Sequence, residues 1–266
     1  MSGERDDRSM DLGGHIDELR GRIIKCVVIL VIFAILAFIN KEILTEVIFA
    51  PSKESFVTFR LLRDMLGSMA LPQVSEFAPP PLVIINTQMS GQFNMHLSIS
   101  LWAAIIATVP FMLLQVWLFV KPALSKEMIH SFRGGVFMVS ILFFIGVGFG
   151  YFMISPLAIN FLTTYELSSS ITNMIAMSSY LSTVMNISLA GGVAFQLPFL
   201  VRVFAGIGFL SADMMRRYRR LAIALIVVAS AILTPPDLFS QVLLAIPLLG
   251  LYEISIMIAK RYYPRA

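Results

Sequence analysis

The chain has 266 residues, of which 58% are hydrophobic and 14% charged, and its mean hydropathy is +0.83. A composition this apolar excludes a soluble globular protein and indicates an integral membrane protein. The net charge of +4 does not indicate nucleic-acid binding, because the lysines and arginines are divided among alternate loops. A single cysteine, Cys26, excludes an intrachain disulfide. The polar, acid-rich start of the chain argues against a cleavable signal peptide.

Six apolar segments predict an all-α integral membrane protein with six transmembrane helices. The predicted spans cover residues 23–39, 97–120, 136–154, 180–209, 221–233 and 238–259. The first continues a helix predicted from Ile16 to Ile24, and the last two are short. The fifth has 13 residues, which span about 20 Å at 1.5 Å per residue. This is less than a hydrocarbon core of about 30 Å, so we expect the segment to thin the bilayer or to be shielded by neighbouring helices.

The distribution of basic residues predicts the orientation of these spans. Lysine and arginine are frequent before the first span, in the second and fourth loops and at the C-terminus, and they are absent from the third and fifth loops. The first loop holds four, diluted over residues 40–94. The positive-inside rule therefore predicts that both termini are cytoplasmic. We expect residues 1–266 to form one membrane domain, with a cytoplasmic segment at 1–22 and an extended periplasmic loop at 40–94.

Two local patterns predict how parts of this domain pack. In the first loop, Phe59, Leu62, Leu66 and Met69 recur at helical spacing, which predicts a short amphipathic helix. This helix would lie on the outer membrane surface or pack under a cap, and we favour the second alternative. In the third span, the GxxxG pair Gly146 and Gly150 indicates close helix packing. Residues 155–179 contain no lysine or arginine and are predicted to be a loop.

The segment that joins the last two spans has a distinctive sequence. Pro235 and Pro236 cannot continue a helix, and Asp237 stands where it can cap the next one. The run TPPDLFSQVLLAIPLLGLYE, from Thr234 to Glu253, closely resembles the last two helices of the TatC family, the multi-spanning receptors of the twin-arginine translocase. A second match, HIDELR, lies at 15–20, and the resemblance covers nearly the whole chain.

The resemblance implies a signal-peptide site at the cytoplasmic face. In similar proteins the glutamate of the HxxELR motif binds twin arginines together with an acid from the loop between spans two and three. Glu18 matches the first acid, whereas Met128 stands at the second position and Glu127 precedes it. The implied site consists of Glu18, Arg20, Phe119, Pro122, Lys126 and Glu127. A structural alternative for Glu18 is an ion pair with Arg22, one helical turn later.

Five polar residues at or near the membrane form a second candidate set, which would contact partner helices. They are Gln196, Thr234, Asp237, Gln241 and Glu253. An intramembrane charge is costly and usually has a partner or a function. Gln196 stands where similar proteins commonly carry a glutamate, just before a predicted kink at Pro198. Glu253 is expected near the cytoplasmic side, where it would snorkel or pair with Arg202.

The function implied by the resemblance is binding of twin-arginine signal peptides of folded cargo at the bacterial inner membrane. The protein would recruit TatA- and TatB-type single-span subunits, form homo-oligomers within the complex and depend on the proton motive force. Neither enzymatic activity nor a cofactor is expected, since His15, His96 and His130 lack metal-ligand spacing and no nucleotide-binding loop is present. One alternative is a proton-coupled small-solute transporter using Glu253 and Gln196, but no internal repeat is visible in the sequence, which counts against it. The other alternative is a purely structural membrane scaffold.

Overall fold

The computed structural model describes residues 12–67, 82–120, 134–165, 167–168, 173–233 and 238–262. These residues are mainly helical. The α-helices are α1 (Leu12–Ile39), α2 (Lys41–Phe49), α3 (Val57–Gly67), α4 (Gly91–Val120), α5 (Gly135–Phe149), α6 (Ser155–Thr164), α7 (Met177–Ala194), α8 (Leu197–Gly206), α9 (Ala212–Arg217), α10 (Arg219–Leu233) and α11 (Leu238–Tyr262). A 3-10 turn (Ala50–Ser52) follows α2, and a π-helical segment (Gly150–Ile154) joins α5 to α6. Two short strands, β1 (Ile84–Ile85) and β2 (Ile175–Ala176), pair in parallel.

Five helical stretches within the described ranges are long and apolar enough to cross a membrane. They are Ile16–Ile39, Gly91–Phe119, Gly135–Thr164, Met177–Gly206 and Gln241–Arg261. The all-helical membrane class is therefore confirmed. The fifth predicted span is α10, whose 15 residues extend about 23 Å and do not reach this length. The fourth predicted span is two helices, α7 and α8, separated by a turn at Phe195 and Gln196.

Residues 155–164 correct the sequence-based prediction of a loop, because they form helix α6. Pro156 occupies the first turn of α6, where a missing N–H group costs little. The π-helical segment before it absorbs the change in hydrogen bonding, and Ser155 Oγ donates to the Gly150 carbonyl at 2.9 Å. Pro156 cannot donate to the Phe152 carbonyl, which accepts a hydrogen bond from Thr58 Oγ1 on α3 instead. The third span consequently continues to Thr164.

The first loop also has more structure than was predicted. Residues 41–49 form α2, and α4 begins at Gly91 rather than at 97. The predicted amphipathic helix is confirmed as α3, in which Phe59 is fully buried. Phe56, just before α3, stacks on Phe152 with ring centroids 5.8 Å apart. The side chains of Leu66 and Met69 lie outside the described residues. The contacts of α3 therefore favour the alternative in which this helix packs against the protein over the one in which it lies on the outer membrane surface.

The largest cluster of buried apolar side chains lies in the second half of the chain. It joins the π-helical segment and α6 to α7, α8, α9, α10 and α11. The GxxxG prediction is confirmed at one edge of this cluster: a Cβ on Gly150 would lie only 2.6 Å from the Ile187 carbonyl oxygen on α7. By contrast, none of the apolar stretch of α1 is buried, and this helix packs mainly along α4. At one end of that contact, His96 stacks on Phe38 with ring centroids 4.0 Å apart.

Candidate functional site

Glu18 and Arg22 form an ion pair near the start of α1. Arg22 Nε donates to Glu18 Oε1 at 3.0 Å, and Arg22 Nη2 donates to the same oxygen. The two residues are one helical turn apart, which brings their side chains together on one face. Both are partly shielded, with side-chain exposures of 24% for Glu18 and 18% for Arg22. The ion pair between Glu18 and Arg22, which was predicted as an alternative role for Glu18, is therefore confirmed.

Arg22 also attaches this pair to the end of α4. Its Nη2 donates to the Leu118 carbonyl at 3.1 Å, and its Nη1 lies 3.5 Å from Gln115 Oε1. The last carbonyls of a helix have no partner within the helix, and a cation near them is stabilised by the helix dipole. Arg22 therefore holds Glu18 beside the point where the chain enters residues 121–133.

One oxygen of the Glu18 carboxylate is not satisfied by these contacts. Glu18 Oε2 is buried, and no hydrogen-bond donor for it exists among the residues that the structure describes. Leaving a buried acceptor unsatisfied costs about 1–3 kcal/mol, and more for a charged group. Such an oxygen is ready to accept a donor from a ligand, and a guanidinium group is the donor that fits a carboxylate best.

The remaining members of the implied peptide site are only partly described. Arg20 is exposed on α1, and Phe119 is half-buried in the last turn of α4, next to Leu118. Pro122, Lys126, Glu127 and the Met128 position lie outside the described residues. The structure therefore brings Arg22, and Glu18 through its ion pair with Arg22, to Leu118 and Gln115 at the end of α4. Gln115 was not among the residues predicted from the sequence, although an amide within an apolar span indicates polar contacts.

Gln196 lies at the break between α7 and α8 and bridges two helices within the chain. Its Nε2 lies 3.2 Å from the Gly192 carbonyl and 3.4 Å from the Val139 carbonyl on α5. Its Oε1 is buried without a hydrogen-bond partner in the described part of the chain. The amide thus joins the third and fourth spans and retains one free acceptor.

Polar contacts also connect α10 to α11. Gln241 Nε2 donates to the Val227 carbonyl at 3.2 Å, and Glu253 Oε1 accepts from Arg219 Nη2. The proposed pairing of Glu253 with Arg202 was therefore wrong. Because α10 and α11 pack against each other, Arg219 at the start of α10 reaches Glu253, whereas Arg202 is buried elsewhere, with Nη1 at 3.6 Å from Met138 Sδ. Thr234 and Asp237 lie outside the described residues.

Comparisons with known proteins agree on one family. The family model described as Sec-independent protein translocase protein (TatC) matches residues 14–247. A TatC protein from Blattabacterium sp. subsp. Periplaneta americana is 33% identical over 261 residues, which are 97% of each chain. One from Haemophilus influenzae is 31% identical over 264 residues, covering 97% of this chain and 92% of the relative.

A solved structure has the same fold. The crystal structure of the twin arginine translocase receptor TatC in DDM superposes with a TM-score of 0.70 and 29% identity, covering 92% of this chain and 99% of the other. Family model, relatives and structure each match most of the chain. The chain therefore belongs to the TatC family and is a subunit of the Sec-independent, twin-arginine protein translocase in the bacterial inner membrane.

Proposed function

We propose that this TatC subunit is the receptor that binds twin-arginine signal peptides of folded proteins at the cytoplasmic face. The observation that carries the proposal is the buried Glu18 Oε2, which lacks a donor within the described residues while Oε1 is held by Arg22. An arginine of the peptide supplies N–H groups to this oxygen. A hydrogen bond to a charged group contributes about 1.5–3 kcal/mol.

Two adjacent arginines need a second carboxylate. Glu127 is the acid closest to the family position at Met128, and it follows the end of α4, beside which Glu18 lies. Arg20 and Lys126 are basic, so they repel positive charges of a peptide that are not paired with a carboxylate. They therefore limit which peptides enter. Phe119 and Pro122 add apolar surface to the same site.

We further propose that the chain forms one membrane domain with six spans, with both termini and residues 1–22 in the cytoplasm and residues 40–94 in the periplasm. The positions of lysine and arginine support this orientation. The short α10 serves as the fifth span by thinning the bilayer beside it.

The partners of this subunit are single-span proteins of the TatA and TatB type and further copies of the chain within the complex. Gln196, Thr234, Asp237, Gln241 and Glu253 provide polar contacts for the partner helices. Gln196 supports this role with a buried oxygen that has no partner in the described ranges. Transport uses the proton motive force, without a cofactor or catalysis by this subunit.

Binding of a labelled twin-arginine peptide to the purified protein tests the receptor function. Glu18→Gln keeps the shape of the side chain and removes its charge, so we expect affinity for an Arg-Arg peptide to fall about tenfold to a hundredfold. A Lys-Lys peptide cannot pair in a bidentate manner and should lose less. Asp17→Asn is the matched control, because Asp17 is the adjacent acid and is exposed. Unchanged affinity of Glu18→Gln for both peptides would contradict the proposed site.

The second acid is located by comparing two further variants in the same assay. Glu127→Gln should weaken binding of the Arg-Arg peptide if the acid has moved by one position, whereas Met128→Gln should have little effect. The opposite order would place the contact at the family position.

A further inference from the structure

An apolar cavity of about 360 Å³ lies between α2, α4, α7 and the third span. Its lining comes from all four elements and includes Trp102, Ala103, Gly148, Tyr151, Phe152 and Ser188. The cavity is partly open, and three of its lining side chains, Val47, Phe144 and Phe152, are exposed by 47%, 45% and 50%. Its lining includes neither Glu18 nor any residue of the second candidate set, which consists of Gln196, Thr234, Asp237, Gln241 and Glu253.

The two hydroxyl groups in the lining are occupied by contacts within the protein. The Tyr151 hydroxyl donates to the Val47 carbonyl, and Ser188 Oγ donates to the Val184 carbonyl at 2.7 Å. A water molecule in a cavity needs two to four polar partners. Besides these hydroxyl groups, the lining has one further donor, the Trp102 indole N–H. This is fewer than a water molecule needs, so an occupant must be apolar.

The volume of the cavity, about 360 Å³, indicates the size of an apolar occupant. An engineered cavity of about 150 Å³ binds benzene, with six carbons. By this measure the TatC cavity takes roughly a dozen carbons, which matches a flexible alkyl chain.

The cavity lies at a depth where alkyl chains are available. Three of its four walls belong to membrane-crossing stretches, namely Gly91–Phe119, Gly135–Thr164 and Met177–Gly206. Trp102 is five residues beyond residue 97, where the second span is predicted to begin, which is about 8 Å along the helix and within the hydrocarbon region. The open side therefore faces lipid tails.

We propose that this cavity binds one acyl chain of a membrane phospholipid. The acyl chain packs between α2 and the three membrane-crossing stretches and fills the cavity. Recognition is by the acyl chain, since the hydroxyl groups of the lining already donate to carbonyls within the protein. The site is independent of peptide binding at Glu18.

Quenching of Trp102 fluorescence by brominated phospholipid tests this proposal. The chain has two tryptophans, so Trp117→Phe leaves Trp102 as the single reporter in the cavity wall. The protein is reconstituted in bilayers of phosphatidylcholine brominated midway along one acyl chain, and its emission is compared with that in unbrominated bilayers. We expect strong quenching, and equally strong quenching with brominated phosphatidylglycerol.

Filling the cavity should protect Trp102. Gly148→Leu is suitable because a Cβ at this position meets a single atom, Phe152 Cδ2 at 4.0 Å. Ala103→Leu fills the cavity from α4 and serves as a second variant should the first fail to fold. Gly250→Leu on α11 is the matched control, since a Cβ there meets nothing within 4 Å and lies outside the cavity. Both filling variants should lose most of the quenching, whereas the control should retain it.

Two outcomes would overturn the proposal. One is equal quenching in the filling variants and in Gly250→Leu, which would show that Trp102 senses only the surrounding bilayer. The other is quenching by one lipid headgroup alone, which would require a polar site that the cavity lacks. Trp102→Phe, which leaves Trp117 as the reporter, should give quenching that Gly148→Leu does not change.

Discussion

Gly146 on α5 and Gly191 on α7 face each other so closely that a Cβ on either residue would lie 2.4 Å from the carbonyl oxygen of the other. Within a membrane, helices gain little from the hydrophobic effect, and close packing of small residues stabilises their association. This pair, together with Gly150 one turn later, therefore sets the distance between the third and fourth spans.

Gly146→Ala should destabilise the protein, because the added methyl group must push α5 and α7 apart. Overpacking of this kind costs about 1–3 kcal/mol, and a lower melting temperature in detergent would measure it. Gly148→Ala is the matched control in the same helix, where a Cβ has room. Equal melting temperatures for the two variants would contradict the close contact.

Thr58→Val should loosen α3, since valine cannot donate to the Phe152 carbonyl that Pro156 leaves free. A hydrogen bond of this type contributes about 0.5–1.5 kcal/mol. We expect faster amide hydrogen exchange in residues 57–67, measured by mass spectrometry. Thr45→Val is the control, because the Thr45 hydroxyl donates to Lys41 within its own helix. Unchanged exchange in Thr58→Val would mean that Phe56 and Phe59 alone hold α3.

A double-mutant cycle should detect coupling between Arg219 and Glu253. Both side chains are about half exposed, and exposed ion pairs contribute about 0.2–1 kcal/mol. We expect a coupling free energy of this size from unfolding of Arg219→Gln, Glu253→Gln and the double variant. The same cycle with Arg202→Gln should give a value near zero. Coupling to Arg202 instead would restore the pairing that the structure contradicts.

Accessibility of tags in spheroplasts should establish the orientation of the chain. A tag at Ala266 is expected to be protected from externally added protease, and one near Ser169 to be accessible. The positive-inside rule is the physical reason for both expectations. Access to both tags would be incompatible with six spans.

Five of the six predicted spans coincide with described helical stretches that are long and apolar enough to cross a membrane. They could be predicted because hydrophobicity acts over many residues, but their ends depend on local contacts. Residues 155–179, which contain no lysine or arginine, were predicted to be a loop. Helix α6 forms there because the π-helical segment shifts the hydrogen bonding before Pro156, and Thr58 satisfies the Phe152 carbonyl. Residue 58 is far away in sequence, so no local pattern could have indicated this contact.

In the candidate site, too, some contacts could be predicted from the sequence and others could not. The pairing of Glu18 with Arg22 follows from helical spacing and was foreseen as an alternative. The hydrogen bond from Arg22 to the Leu118 carbonyl was not predicted, because every residue has a backbone carbonyl and the sequence does not show which one is an acceptor. Glu253 was predicted to pair with Arg202 because the sequence does not show which helices pack side by side. The contact between α10 and α11 places Arg219 next to Glu253 instead.

The contacts between α10 and α11 have a consequence for biosynthesis. Helix α10 is short, with 15 residues and two arginines at its start, so the insertion machinery receives a weak signal from it alone. Its partner α11 is longer and binds it at two points, through Gln241 to Val227 and through Glu253 to Arg219. The two segments should therefore enter the bilayer as a pair, and a nascent chain that ends before residue 238 should leave α10 uninserted.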